Sequence, residues 1–280
     1  MSDKRLRQLQ LLQLKILKEV KRVCDANNIS YWLDAGTLLG AVRHKGVIPW
    51  DDDLDIGLLE HDYKRLKELA LAGELGEDFF WEDWETDPLY GFPYGKICLK
   101  GTEYIEEKNR KSSAKRAIFI DVFPYYPCAA TEKERNHEAK KLKLLTHLLL
   151  CKMKYEVWAG EGVGKMLKFL PIRFCSYFIN TERIRNKMME IFGRHSGEPV
   201  QEVYVGDGQC GTRWLFPKCW FETLIDLQYE DECFKVPEKY KDYLMKVYGD
   251  YQKIPDEKHR ECHNIYSLEL GKYEKNCSST

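Results

Sequence analysis

The chain has 280 residues and a mass of 33.1 kDa, enough for one large or two small domains whose core needs no disulfide staples. Hydrophobic residues at 44% and charged residues at 32% exclude wholesale disorder, and 44 Lys+Arg against 45 Asp+Glu argue against a non-specific nucleic-acid binder. No stretch approaches the ~20 apolar residues of a bilayer span, and Met1-Ser2-Asp3-Lys4-Arg5 does not lead into an apolar signal core, so a cytoplasmic location is expected.

From Lys4 to about Asp25, the residues Leu9, Leu12, Ile16, Val20 and Val23 recur at helical spacing and predict an amphipathic helix that stops at Asn27-Asn28. Tyr31 to Ala35 reads as a short strand. Gly36-Thr37 then turns into a small helix, Leu38 to His44. A loop with Lys45, Gly46 and Pro49 leads to a second strand over Asp53 to Leu58, where Leu54 and Ile56 alternate with polar positions. Asp62 to Ala72 is predicted as a helix. Phe79 to Trp81, Lys96 to Leu99 and Ile118 to Phe123 are predicted as strands of the same mixed sheet. Beyond Pro127 helices dominate: Glu132 to Cys151, Glu182 to His195 capped by Thr181, and a last one opened by Val236-Pro237 and ended at Gly249. The expectation is an α+β protein with a sheet domain over 1–128 and a mostly helical C-terminal lobe over 129–280, packed together. The ten Cys residues contain no CxxC pair and are expected to be reduced, partly buried thiols.

The informative stretch is Trp50-Asp51-Asp52-Asp53-Leu54-Asp55, with four carboxylates in five positions. Packed together they repel one another, and a divalent cation removes that penalty. In a strand, Asp53 and Asp55 share one face at a Cα spacing of about 6–7 Å. A solvated acidic loop is the plainer reading, but the interleaved Leu54 and Ile56 imply a buried strand. An EF-hand loop starting at Asp51 fails, because its sixth and twelfth positions hold Ile56 and Asp62. The Asp-x-Asp pair of nucleotide-sugar glycosyltransferases stays open as an alternative. Upstream, the Gly36-Thr37 turn allows close approach of a phosphate at a helix N-terminus. Downstream, Asp121 stands in the apolar run Ile118-Phe119-Ile120-Asp121-Val122-Phe123. It faces either water at a sheet edge or a metal cleft. A Gly-Thr turn, an Asp-x-Asp strand and a later strand Asp together match the nucleotidyltransferase fold.

The run from Trp32-Leu33-Asp34-Ala35-Gly36-Thr37-Leu38-Leu39-Gly40 through Ile48-Pro49-Trp50-Asp51-Asp52-Asp53-Leu54-Asp55-Ile56-Gly57 closely resembles the signature of the LicD family of bacterial phosphocholine transferases. The fukutin-related proteins are more distant relatives. The resemblance continues at Tyr94-Gly95-Lys96-Ile97, at Ile120-Asp121-Val122-Phe123-Pro124 and in the C-terminal run from Val236-Pro237 to Tyr248-Gly249-Asp250-Tyr251. It implies a phosphotransferase that moves a phosphoalcohol, typically phosphocholine from CDP-choline, to a hydroxyl of a glycan such as a teichoic-acid or lipopolysaccharide precursor, releasing CMP. A nucleotidyltransferase or glycosyltransferase using a nucleotide sugar is the alternative. Under the resemblance Asp53, Asp55 and Asp121 hold Mg²⁺ or Mn²⁺ and carry catalysis, with Asp121 as third ligand or proton acceptor. Gly36, Thr37, Arg43, His44, Lys45 and Lys96 bind the substrate's phosphates, although Lys45 alone reads equally as a surface charge. Trp32, Trp50 and Tyr94 either cage a quaternary ammonium or pack the core. The segment Gly164 to Ile179 is the most apolar in the chain and is punctuated by Lys165, Lys168 and Arg173. It either packs the C-terminal lobe or lies on the inner membrane face.

Overall fold

A computed structural model describes residues 3–156, 163–209, 211–260 and 264–274, apart from four side chains, among them that of Lys165. In chain order the elements are α1 (Asp3–Asn27), β1 (Trp32–Leu33), α2 (Ala35–His44), β2 (Asp55–Leu59), α3 (Glu60–Leu71), β3 (Phe79–Glu82), β4 (Gly95–Leu99), β5 (Glu103–Glu106) and β6 (Ile118–Pro127). They continue as α4 (Glu132–Lys152), α5 (Val163–Phe178), α6 (Thr181–Phe192), β7 (Glu202–Val205), β8 (Leu215–Pro217), β9 (Leu224–Tyr229), β10 (Glu232–Pro237), α7 (Tyr240–Tyr248) and β11 (Ile265–Glu269). The class is α+β, as expected.

One mixed sheet runs in the order β1-β2-β6-β4-β3, with β7 and β8 added beside the far end of β6. Its axis is β6, whose apolar run is buried on both faces, as a central strand requires. β2 lies parallel to β6 and pairs Asp55 with Asp121; β4 lies antiparallel on the other side and pairs Lys96 with that same Asp121. Three chemistry-bearing residues therefore meet on three adjacent strands.

α1 buries the expected stripe of Leu9, Leu12, Ile16, Val20 and Val23 against the sheet. It also buries Gln10 and Gln13, whose side-chain amides donate to the carbonyls of Asp51 and Asp52 at 2.8 and 2.9 Å. Two polar residues in an apolar stripe thus fasten the acidic loop, satisfying carbonyls that burial would otherwise orphan. A separate, aromatic-rich core under α4 and α6 joins Tyr90, Phe92, Tyr94 and Tyr126 to Leu149, Met188 and Phe192.

Several elements differ from the sequence reading. α2 begins at Ala35, not Leu38, because Asp34 caps it by accepting from the Ala35 N–H at 3.0 Å. Gly36 and Thr37 therefore lie inside its first turn. The ladder of β2 begins at Asp55, with Asp53 in the approach; the Leu54 carbonyl still accepts from Asp121 N at 2.9 Å. Val236-Pro237 ends the hairpin β9–β10 instead of opening a helix, since Pro is tolerated at a strand end, and α7 starts at Tyr240. Asn180, not Thr181, caps α6. Beyond residue 128 the chain is not only helical: β7 and β8 return to the sheet, and Phe216, Phe221, Tyr229 and Phe234 fill the main core. Among the described cysteines, Cys24, Cys98, Cys128 and Cys151 are buried free thiols, whereas Cys175, Cys219 and Cys233 are exposed. Among the described residues no helix is long and apolar enough to cross a membrane.

Candidate active site

The site grows from the junction of β2, β4 and β6. The register pair Asp55 and Asp121 is buried, with 8% and 9% exposure. The Asp55 N–H donates to Thr37 Oγ1 at 2.8 Å, so the hydroxyl of α2's first turn fixes the start of β2. The Lys96 Nζ pairs with Asp121 Oδ1 at 3.0 Å and sits 3.0 Å above the centroid of the Phe119 ring, a cation–π seat that holds the ammonium in place.

A cleft of about 270 Å³ opens here. Its charged lining is Asp53, Lys96, Glu106, Lys108 and Asp121, and its aromatic lining is Phe92, Tyr94, Tyr104 and Phe119. Lys108 pairs with Glu106 at 2.9 Å. The cleft therefore mixes carboxylates with two ammonium groups, a lining suited to a metal-bound phosphate and not to an apolar ligand.

Beside it, carboxylate oxygens of Asp51, Asp52 and Asp53 lie within 4.8 Å of one another. Asp52 accepts from the Tyr104 hydroxyl at 3.1 Å. Burial pushes the Asp51 carboxyl up to about 9, and the neighbouring Asp53 and Asp52 push the same way. Burial likewise holds Asp55 well above the usual carboxylate range, and Asp53, Asp121, Asp34 and Asp51 add repulsion. Asp121 is raised by burial as well, but Lys96 pulls it back. Crowded carboxylates of this kind fit a hard divalent cation, whose charge cancels the repulsion. Gly36 faces the cluster: a Cβ there would stand 3.0 Å from Asp51 Oδ2.

The expected basic residues separate into two places. Lys96 lines the cleft. Arg43 and His44 sit in the last turn of α2, and Arg43 donates to the Tyr251 carbonyl at 3.1 Å. Burial lowers the pKa of both, and Arg43 lowers His44 further. The Lys45 side chain is exposed, while its carbonyl accepts from Glu230 N at 2.8 Å. The β9–β10 turn thereby clamps the loop after α2, and Glu230 also accepts from Val47 N at 3.0 Å. Trp32, Trp50 and Tyr94 do not form a cage. Trp32 is fully buried and stacks on Phe221 at 4.3 Å; Arg260 lies 4.3 Å over Trp50; only Tyr94 reaches the cleft.

Sequence reasoning missed Tyr104, Glu106 and Lys108. They arrive on and just after β5, which pairs with β11 from the other end of the chain. It also gave Asp51 no role; the only local signal was its place in the acidic run.

Residues 28–149 match the family described as LicD/FKTN/FKRP, nucleotidyltransferase domain. Over 268 residues the chain is 31% identical to the lipopolysaccharide cholinephosphotransferase LicD of Haemophilus influenzae, which spans 93% of this chain and 96% of that protein. Over 173 residues it is 30% identical to the ribitol 5-phosphate transferase FKRP of Homo sapiens, covering 58% of this chain and 31% of that one.

Proposed function

The chain belongs to the LicD family, and on that premise we propose that it moves a phosphoalcohol from a CDP-linked donor to a hydroxyl of a glycan, releasing CMP. Phosphocholine from CDP-choline is the favoured cargo, because the relative aligned with nearly the whole chain is named a cholinephosphotransferase. A lipopolysaccharide or teichoic-acid precursor in the cytoplasm is the favoured acceptor. The observation that carries the reading is the buried pair Asp55 and Asp121 on adjacent strands, with Asp53 and Lys96 lining one cleft with Asp121.

Asp51, Asp53 and Asp55 would hold Mg²⁺ or Mn²⁺. When bound, the ion supplies charge neutralisation for the donor's diphosphate and for the CMP leaving group. Asp121 is engaged by Lys96, which favours a proton-accepting role for it over a place among the ligands. As the acceptor oxygen forms its bond to phosphorus, the phosphorus–oxygen bond to CMP breaks and the hydroxyl proton passes to Asp121. A carboxylate raised by burial is a better base near neutral pH than an ordinary one. Lys96 and Lys108 present ammonium groups to the donor's phosphate oxygens. Thr37 positions Asp55 through its backbone, and Gly36 keeps space open in front of Asp51. Arg43 and His44, at the end of α2, and the exposed Lys45 lie outside the cleft lining.

The test is donor choice. The purified protein with Mg²⁺ is offered CDP-choline, CDP-ethanolamine, CDP-glycerol, CDP-ribitol and UDP-glucose, each with a glycan acceptor, and products are read by mass spectrometry. Metal-dependent CMP release with a gained phosphoalcohol is expected. UDP release, with no CMP from any CDP-alcohol, would overturn the reading.

A further inference from the structure

α5 is apolar on two opposite sides. Its inner side carries Phe169 and Ser176, both buried, and Ile172, which packs against the aromatic core. At about 100° per residue, Met166, Leu167, Leu170, Phe174, Tyr177 and Phe178 fall within an arc of about 120° on the opposite side. All of them are exposed, with Phe174 at 70%, Tyr177 at 81% and Phe178 at 72%. Their rings touch one another: Phe174 and Phe178 lie 5.2 Å apart, Tyr177 and Phe178 5.6 Å. A helix that faces water ordinarily turns charges outward, and a contiguous exposed apolar surface of this kind marks an interaction site.

The charge around the arc indicates what covers it. α5 contains no acidic residue, and Lys168 and Arg173 stand on its two flanks. From residue 140 to residue 180 the sequence holds eight Lys or Arg against two Glu, in a chain whose overall balance is −1. Lys152 of α4 reaches α5 and donates to the Ser176 carbonyl at 3.1 Å. A second copy of the chain docking here through a two-fold axis would set these cations against their own images, with no carboxylate on α5 to meet them. An anionic surface with an apolar interior satisfies both features.

We propose that α5 is a membrane-docking helix that lies in the headgroup region of a bilayer containing anionic lipid. Its aromatic arc sinks toward the acyl chains, and Lys168 and Arg173 reach sideways to the headgroups. The helix shares its core with the cleft wall. Ile172 rests on the core that contains Phe92 and Tyr94, and in the segment after α4 Glu156 N donates to the Lys108 carbonyl at 2.7 Å. The cleft wall and the docking helix thus belong to one packed layer.

The test is vesicle flotation of the full chain at low salt, with phosphatidylcholine alone and with phosphatidylglycerol added. Binding to the mixed vesicles is expected to be at least about tenfold tighter and to weaken as salt rises. Phe174→Ser/Phe178→Ser is expected to weaken binding more than about tenfold, and Lys168→Glu about fivefold. Circular dichroism and the melting temperature of each variant should match the parent, because the altered side chains are exposed. Tyr177→Ser replaces the double variant if that one misfolds. Three results would each overturn the proposal: no flotation with mixed vesicles, undiminished binding of the double variant, or a dimer in light scattering that the double variant converts to monomer.

Discussion

Two buried carboxylates on neighbouring elements, Asp34 and Asp55, share their burial and differ in everything around them. Asp34 is 1% exposed and receives hydrogen bonds from the Ala35 N–H and from the hydroxyls of Tyr125 and Tyr243, the Tyr125 contacts at 2.8 and 2.9 Å. Burial raises its pKa, and each of those donors lowers it again. At Asp55 burial also comes first, but the next influences are other carboxylates, and all push the same way. The first is a closed knot that ties β1 and α2 to β6 and α7. The second holds stored repulsion that a cation would relieve. Burial of an acid therefore says little about function; the sign of its neighbours decides.

The largest test of that distinction is the rate. Asp55→Asn and Asp53→Ala are expected to lower turnover of a CDP-alcohol by more than about 10³-fold, the scale of a lost charge-stabilising group. Both should leave the melting temperature unchanged or raised, since each removes one member of the crowded carboxylate cluster. A variant that unfolds while the surviving fraction keeps its rate would place Asp55 in the class of Asp34.

Next comes the knot itself. Asp34→Ala removes the cap of α2 and the carboxylate to which two buried tyrosine hydroxyls donate. The expected cost is about 3 kcal/mol, or roughly 5–10 °C in melting temperature for a chain of this size. Calorimetry checks it. A loss below about 1 kcal/mol would show that the hydroxyls find other partners.

How much of this was legible in the sequence follows from how local each signal is. The acidic run, the Gly36-Thr37 pair and Asp121 in its apolar strand are local patterns, and they do converge at one junction, although Gly36 and Thr37 sit in the first turn of α2 and not in a turn before it. The partners that complete the knot are not local. Tyr243 lies 209 positions from Asp34, and nothing near either residue points to the other. Lys108 and Glu106 enter through β5, a strand defined by its pairing with β11. Gln13 did carry a signal, a polar residue on the apolar stripe between Leu9 and Ile16, but amphipathic patterning treats it as a defect. The strands β7 and β8 are short, and only the sheet edge they join defines them.

A third test uses pH. Asp51 has a folded pKa of about 9, far above its ordinary value of 3.8, so the folded state binds more protons between those values. Without metal, stability contributed at this site is then present at low pH and falls as pH rises through that window. Mg²⁺ should reverse the trend, raising the melting temperature by a few degrees at pH 8 and hardly at all at pH 5. Asp51→Asn should flatten the metal-free pH profile and lose the Mg²⁺ response. Equal Mg²⁺ shifts at both pH values would remove the repulsive site from the comparison.

The smallest effect separates neighbours inside the acidic run. Asp52 is 2% exposed, its Oδ2 accepts from the Tyr104 hydroxyl, and its carbonyl accepts from Gln13. By its partners it resembles Asp34, although it sits between Asp51 and Asp53. Tyr104→Phe deletes one buried hydrogen bond to the Asp52 carboxyl, worth about 1 kcal/mol. Because the Tyr104 hydroxyl tethers Asp52 and is not itself a carboxylate of the cluster, the rate should fall less than about tenfold, against more than 10³-fold for Asp53→Ala. Donor KM should stay within about twofold, since a tethering bond acts on loop geometry and not on uniform binding. Stability would carry most of the loss, read as a lower melting temperature with and without Mg²⁺. If Tyr104→Phe instead matched Asp53→Ala in rate and kept the parent's melting temperature, Asp52 would belong with the repulsive cluster, and the division drawn between its neighbours would move by one residue.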